Sequence, residues 1–448
     1  MDTYMITAAE VLEYSKSFLE KIAPEPADGW LQEIYRQMSA RLFPDSFKVT
    51  EDKALSRAVD LFMERYQLAL DDERRMRAAS PVDDFEFFTE EEFSHCTNAE
   101  EYRRFLKVWR EQYIYEYMRL AREVTPFNTC GHVAGVHYLA TFIARQAAKH
   151  EHSTDLGIVS AAAACHDLGK FGCIGDELRK VAHYHYYYTS VICNRFNLPM
   201  IGHIAGNHST WDLELENLSI ESLILIYSDF RVRSHREDGA EVVSFYTLED
   251  AFNIILSKLE NVDEAKAERY RKVYMKLLDF EVYLKSIGIE TDPDKPVSKH
   301  IGEEADRDPL LAGSEVTCRL KNLAIRHNIR IMSIFNNEAA FGSLLENART
   351  ENNSSRIRAY LNILDEYSKY MTKHEKLMAS RFLYDQLSNK EGDIRRKAAE
   401  TLGKLIARYR NPITKLIPDR VMVEPDDSLD VWRAYLGRIV YPGHRVTD

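Results

Sequence analysis

Ala161-Ala-Ala-Ala-Cys-His-Asp-Leu-Gly-Lys170 decides how this chain is read. A run of small apolar residues, the end of a helix beginning near Leu156, stops at His166 and Asp167 and is followed by Gly169 and Lys170. Adjacent His and Asp side chains offer a neutral imidazole nitrogen and an anionic oxygen from neighbouring backbone positions. That pair suits a borderline or hard divalent metal that also holds water. On both sides of it lie further ligand-type residues, His132 upstream and His185, His208 and Asp229 downstream, each on a segment with a helical pattern.

The segments follow in order. Gly131 to Ala144 reads as a helix with Val136, Leu139, Ala140 and Ile143 on its apolar face and His132 one turn before Val136. His137 lies on the same segment and competes with His132 for a ligand role. Val181 to Phe196 reads as a third helix, carrying His183 and His185, and the tyrosine-rich run Ala182 to Tyr188 leaves open which of the two faces inward. Met200 to His208 reads as a fourth, with His203 on a helix face and His208 at its end. Ile220 to Asp229 is apolar almost throughout until its final carboxylate. A carboxylate ending a buried run is costly unless it is paired or metal-bound. Arg231 and Arg233 follow closely, so a local salt bridge competes with a ligand role for Asp229.

The order His, His-Asp, His, His, Asp resembles the HD-domain metal-dependent phosphohydrolase superfamily, over roughly residues 125–235. His166-Asp167-Leu168-Gly169-Lys170 is similar to its HDxGK variant. Asn207-His208-Ser209-Thr210 with Leu218 to Asp229 is similar to the HD-type diadenosine tetraphosphate hydrolases. Ser-Thr-Trp-Asp after His208 departs from the HD-GYP pattern and argues against cyclic-di-GMP as substrate.

The resemblance implies a metal set of His132, His166, Asp167 and Asp229, with His185 and His208 at positions that hold a second metal or face a phosphate. Asp167 would bridge in a binuclear form. Asp167 and Lys170 would be the catalytic residues, and Lys170, His185 and His208 the substrate-binding ones. Mixed His and carboxylate ligation fits Fe, Mn, Co or Ni, one ion or two, with Zn or Mg also compatible. The expected activity is hydrolysis of a phosphate ester or anhydride, nucleotide-type, by metal-activated water. Two rivals stand beside it: a non-catalytic HD module that senses a nucleotide, and a single-strand nuclease.

Around this centre the chain is helical and acidic. Its 448 residues are 45% hydrophobic and 11% aromatic, enough for two or three packed domains. With 71 acidic against 59 basic residues the net charge is −12, which opposes broad binding to nucleic acid or anionic membrane. Six cysteines without zinc-ribbon spacing, and an opening Met1-Asp-Thr-Tyr without a basic, apolar leader, point to a reducing cytoplasm.

The expected fold is all-α in four parts. Residues 1–124 form an N-terminal helical region, opened by a capping box at Thr7 to Glu10, with helices over Ala54–Leu70 and Ala99–Ala121 and a break or a docking loop over Ser80–Phe88. Residues 125–290 form the HD-type bundle, closing with a helix over Ala265–Ile287. Residues 291–329 are a connection, starting with a turn at Asp292-Pro-Asp-Lys-Pro296 and a polar stretch over Ser298–Ser314. Residues 330–448 read as helical pairs, and Glu391 to Leu405 looks like a HEAT repeat: Asp393 at the helix start, Arg396 outside, Ala398, Ala399 and Leu402 inside, Gly403 at a close helix approach. Such an array would recruit a protein partner, and the chain's end at Asp448 reads as falling inside a longer array.

Overall fold

A computed structural model describes residues 5–49, 51–76, 85–127, 129–150, 154–209, 218–237, 240–258, 263–295, 297, 313–368, 370–407, 409 and 418. The chain is all-α among these residues, apart from one two-stranded hairpin. The expected features at residues 80–84, 152, 210–212, 296, 298–312 and the chain end lie outside the described residues.

The N-terminal helices are α1 (Ala8–Ile22), α2 (Trp30–Leu42), α3 (Lys53–Met76), the single turn α4 (Glu90–Phe93), α5 (Ala99–Glu111) and α6 (Ile114–Val124). The capping box forms as expected: the Glu10 amide donates to Thr7 Oγ1 at 3.2 Å, and the Thr7 amide donates to Glu10 Oε2 at 2.9 Å. The single helix expected over Ala99–Ala121 is instead two, because Tyr113 takes a left-handed φ of 52° and turns the chain between α5 and α6. Aromatic periodicity continues across that break, which is why the pattern hid it. Phe85 and Phe87 do dock, with ring centroids 4.9 and 5.2 Å from Trp109.

The helices that carry the ligand-type residues come next. They are α7 (Cys130–His150), α8 (Leu156–Cys165), α9 (Val181–Arg195), α10 (Pro199–Gly206) and α11 (Ile220–Arg231). Two 3-10 turns, Leu168–Gly172 and Gly175–Lys180, join α8 to α9. α10 ends at Gly206, so His208 stands beyond its helix rather than at its end. The hairpin of β1 (Val232–Glu237) and β2 (Ala240–Phe245) and the helix α12 (Leu248–Lys258) are absent from the expected pattern. The hairpin pairs Val232 with Phe245 and Ser234 with Val243. It packs on α7 at Gly135, where a Cβ would lie 2.4 Å from Val243 Cγ1 and 2.8 Å from Val232 Cγ1. The sequence of β1, Val232-Arg-Ser-His-Arg-Glu237, is polar after its first residue and so carries no strand-like hydrophobic alternation. α13 (Glu264–Ser286) closes this part, and a turn follows in which the Lys295 amide donates to the Asp292 carbonyl at 3.1 Å.

The chain divides into two compact units, Met1–Trp211 with Glu221–Ile325, and Asp212–Ile220 with Arg326–Asp448. The N-terminal helices and the ligand-bearing helices therefore share one unit. α14 (Gly313–Phe335) spans much of the expected connection.

The second unit holds α15 (Glu338–Thr350), α16 (Ser354–Glu366), α17 (Lys373–Gln386) and α18 (Gly392–Ala407). α17 packs on α15 and α18, and α16 packs on α18. Leu361, Leu364, Phe382, Leu383, Ile394 and Ala398 fill the core between them. Polar pairs bind α16 to α18: Arg358 with Asp393, and Asp365 with Lys397 at 2.6 Å. Ala399 and Gly403 depart from the expected repeat pattern. Both are exposed, and nothing lies within 4 Å of a Cβ placed on Gly403.

Glu375 on α17 is buried, and its Oε1 has no hydrogen-bond partner, while Oε2 accepts the Thr372 amide at 2.7 Å. Burial pushes its carboxyl up to about 7. A raised carboxyl adds stability below its ordinary value near 4.5 and loses it as pH rises through the folded value. Glu375→Gln keeps the helix cap without the charge. Its denaturation midpoint should match the wild-type chain at pH 4.5 and exceed it at pH 8, by up to about 2–3 kcal/mol. Equal midpoints at pH 8 would remove the buried charge from the account.

Candidate metal centre

α8 is a fully buried helix of small side chains, started by Asp155, whose Oδ1 accepts the Ile158 amide at 3.1 Å. Where it ends, His166 is wholly buried and the chain turns into the 3-10 turn Leu168–Gly172, with Asp167 at its head. α9 presses against this turn. A Cβ on Gly169 would lie 1.9 Å from the His185 carbonyl oxygen and 2.4 Å from the Thr189 amide nitrogen. Only glycine admits that approach. Thr189 ties the two elements together, its Oγ1 accepting the Gly169 amide at 3.0 Å and donating to the His166 carbonyl at 2.8 Å. At the other edge, Glu101 of α5 accepts the Ile201 amide at 2.8 Å and so holds the first turn of α10.

Three histidines are fixed in the same way. His166 Nδ1 stands 2.8 Å from the Ala163 carbonyl, His185 Nδ1 2.8 Å from that of Val181, and His208 Nδ1 2.5 Å from that of Ala205. A carbonyl only accepts, so each Nδ1 carries the proton and each Nε2 presents a lone pair. Burial favours the neutral ring in all three. It lowers His166 to about 4 and His185 to about 3, with nearby charges as smaller effects, and it lowers His208 as well.

The consequence is two lone pairs face to face. His185 Nε2 and His208 Nε2 are 3.3 Å apart. Two imidazole nitrogens sharing one tetrahedral ion at about 2.0–2.1 Å each would stand about 3.3 Å apart. His166 Nε2 is buried without any hydrogen-bond partner. Leaving such an acceptor dry costs about 1–3 kcal/mol. The donor set and this orphaned nitrogen fit a metal.

Asp167 lies between two groups of ligand atoms. Its Oδ1 is 3.4 Å from His185 Nε2. Its Oδ2 is 3.7 Å from His166 Nε2, 3.8 Å from His132 Nε2 and 2.5 Å from Lys170 Nζ. Burial would push this carboxyl up, but the Lys170 ammonium and the surrounding imidazoles hold it well below the usual range. Asp229 Oδ1 sits 3.0 Å from His132 Nε2 and 3.8 Å from His166 Nε2. Against the same burial cost, the His132 hydrogen bond keeps Asp229 ionised. Two sets have ligand atoms within 4.8 Å of one another, His132–His166–Asp167 and Asp167–His185–His208. Asp167 belongs to both.

The structure thus brings together His132, His166, Asp167, Lys170, His185, His208 and Asp229, residues taken from five segments of sequence. The competing histidines fall elsewhere. His137 is buried among the rings of Phe85 and Phe87 and bonds Ser160 Oγ at 2.9 Å. His183 is exposed on α9. His203 is buried on α10, outside both sets. Arg231 and Arg233 do not pair with the Asp229 carboxylate. Arg231 donates to the Thr291 and Tyr246 carbonyls at 2.6 and 2.7 Å, and Arg233 to the Asp229 and Val232 carbonyls at 3.1 and 2.6 Å. Asp229 itself is not the buried end of its helix: α11 runs on to Arg231, and the Asp229 side chain is 27% exposed, facing the cluster's open side. Thr189 escaped the sequence reading, because a threonine that binds backbone groups leaves no pattern. The chain matches no family model, no curated protein and no solved structure.

Gly169→Ala should lower the unfolding free energy by about 3 kcal/mol or more, since the methyl group meets backbone rather than a movable side chain. Gly403→Ala, at an open position, should cost nothing measurable. Thermal melts of the two variants check this, and similar melting temperatures would refute the close approach of α9.

Proposed function

We propose that this chain is a metal-dependent phosphohydrolase of the HD type, acting on a phosphate ester or anhydride, most simply a nucleotide. The observation that carries the reading is the shared position of buried Asp167 between two histidine-containing ligand sets, with the Lys170 ammonium against it. His132, His166, Asp167 and Asp229 would hold one divalent ion, and Asp167, His185 and His208 a second. Ions bound there would lower the pKa of water toward neutrality and polarise a phosphoryl oxygen. Fe, Mn, Co and Ni suit this mixture of nitrogen and carboxylate donors, and Zn or Mg remain compatible.

The chain's own groups supply the rest. Backbone carbonyls of Ala163, Val181 and Ala205 keep three imidazoles in one tautomer. His132 Nε2 and Asp229 Oδ1, 3.0 Å apart, are close enough to be ligands of the same ion. Lys170 is partly exposed, and its ammonium is placed to leave Asp167 for a substrate phosphate and to neutralise charge developing there. The helical pairs α15 to α18 are proposed as a surface for a protein partner, and the cytoplasm as the compartment.

Elemental analysis of the purified full chain, beside His166→Ala/Asp167→Ala, is the first test. The expected result is about one or two Fe, Mn, Co or Ni per chain, absent from the double variant. The loaded chain should hydrolyse a member of a nucleotide and phosphate-ester panel, and Lys170→Gln should keep its metal while losing turnover by about 10²-fold or more. Absence of metal even after anaerobic loading would sink the reading. Metal with nucleotide binding but no turnover would replace it with a non-catalytic nucleotide sensor.

A further inference from the structure

We infer that Tyr186 is the positioning residue of the His185–His208 half of the metal centre, holding both imidazoles in their ligating orientation and covering them from solvent. This rests on the metal-centre reading above and adds a residue that contributes no ligand atom.

Tyr186 follows His185 directly on α9. Adjacent helical side chains diverge by about 100° and do not face one another. Yet the Tyr186 ring centroid lies 3.9 Å from that of His185, with the planes inclined at 38°. It lies 4.7 Å from that of His208, inclined at 50°. The two imidazoles are themselves 5.2 Å apart. The three rings form a closed triangle, and all three residues are buried. Packing, and not helix geometry, sets this contact.

The hydroxyl makes a second tie. The Tyr186 hydroxyl lies within interaction range of the Ser209 side chain, in the residue after His208. α10 stops at Gly206, so no helical ladder fixes His208 and Ser209. His208 is held from behind by the Ala205 carbonyl and from the front by the Tyr186 ring, and the next residue is held by the Tyr186 hydroxyl. One side chain therefore fastens a loop ligand to a helix ligand.

In the other half His166 is buried, but His132 is less covered. The His132 side chain is 16% exposed, and its ring neighbour in the cluster is another imidazole, His166, at 5.5 Å. Loss of Tyr186 should thus weaken one half-site and spare the other.

Co²⁺ is the probe, because its visible absorption reports ligand geometry without turnover. His132→Ala/Asp229→Ala confines the full chain to the His185–His208–Asp167 half. In that background Tyr186→Leu should weaken Co²⁺ binding about 10–100-fold and shift the absorption bands, as loss of a residue that orients metal ligands does. Tyr186→Phe keeps the ring, loses only the Ser209 tie, and should weaken binding about fivefold, the equivalent of one hydrogen bond. In a His185→Ala/His208→Ala background, Tyr186→Leu should leave Co²⁺ affinity unchanged. Unchanged affinity and bands for Tyr186→Leu in the first background would overturn the inference. If Tyr186→Leu does not fold, Tyr186→Phe and Ser209→Ala decide: equal losses that do not add in the double variant uphold the tie, and additive losses refute it. No Co²⁺ on the otherwise unaltered chain would overturn the metal centre as well, so the two failures are told apart.

Discussion

The buried carboxylate of Asp167 is the constraint on which the rest of the site depends. An isolated anion in an apolar interior costs far more than any single contact returns. Here it is tolerable because Lys170 stands 2.5 Å from Oδ2 and histidine nitrogens lie around both oxygens. His166, His185 and His208 are neutral and present lone pairs, so they contribute dipoles but little countercharge. The Lys170 ammonium balances Asp167, while Asp229 is held ionised by its hydrogen bond with His132. The cluster is short of positive charge, and that shortage is what a divalent ion would fill.

The fold meets this demand with ordinary helical devices. Each buried histidine donates Nδ1–H to a carbonyl three or four residues earlier, at the place where a helix begins or ends. The Ala163 and Ala205 carbonyls lie in the last turns of α8 and α10, where carbonyls lack a regular partner and are free to accept such a bond, whereas Val181 opens α9. The small side chains of α8 let α7 and α10 close around it, and Gly169 lets α9 reach the turn that carries Asp167. Three of the ligand atoms, Nε2 of His166, His185 and His208, are aimed by hydrogen bonds from the opposite ring nitrogen to backbone carbonyls. A centre built this way keeps its shape before any ion arrives, so binding carries little ordering cost.

Much of this was legible in the sequence, and the reasons differ by residue. His166-Asp167 stood out because two polar side chains end an alanine run. His132 could be preferred over His137 from its place on an apolar face, whereas the tyrosine-rich run leaves His183 and His185 open, and the structure puts His137 and His183 elsewhere. The helices around the site were legible chiefly as sustained apolar runs, Leu156 to Cys165 and Leu223 to Tyr227 above all. The hairpin was not, since the sequence of β1 is almost wholly polar and the strand is kept in place by Val232 and Val243 against Gly135. The break at Tyr113 was hidden because it depends on one backbone angle. Ala399 and Gly403 misled because small residues on a helix fit either a close approach or open solvent, and composition does not distinguish them.

The two halves of the cluster also differ in kind. His132 and Asp229 sit toward the open side, and both keep some exposure. His185 and His208 are buried and face one another without a shared proton. Repulsion between those lone pairs acts against the packing that holds them, so the metal-free chain carries an unfavourable contact at that point. An ion would relieve it there, and in the other half it would give the buried, unpartnered His166 Nε2 a partner. On the proposed function, a substrate phosphate would enter at the partly exposed His132–Asp229 side, next to Lys170.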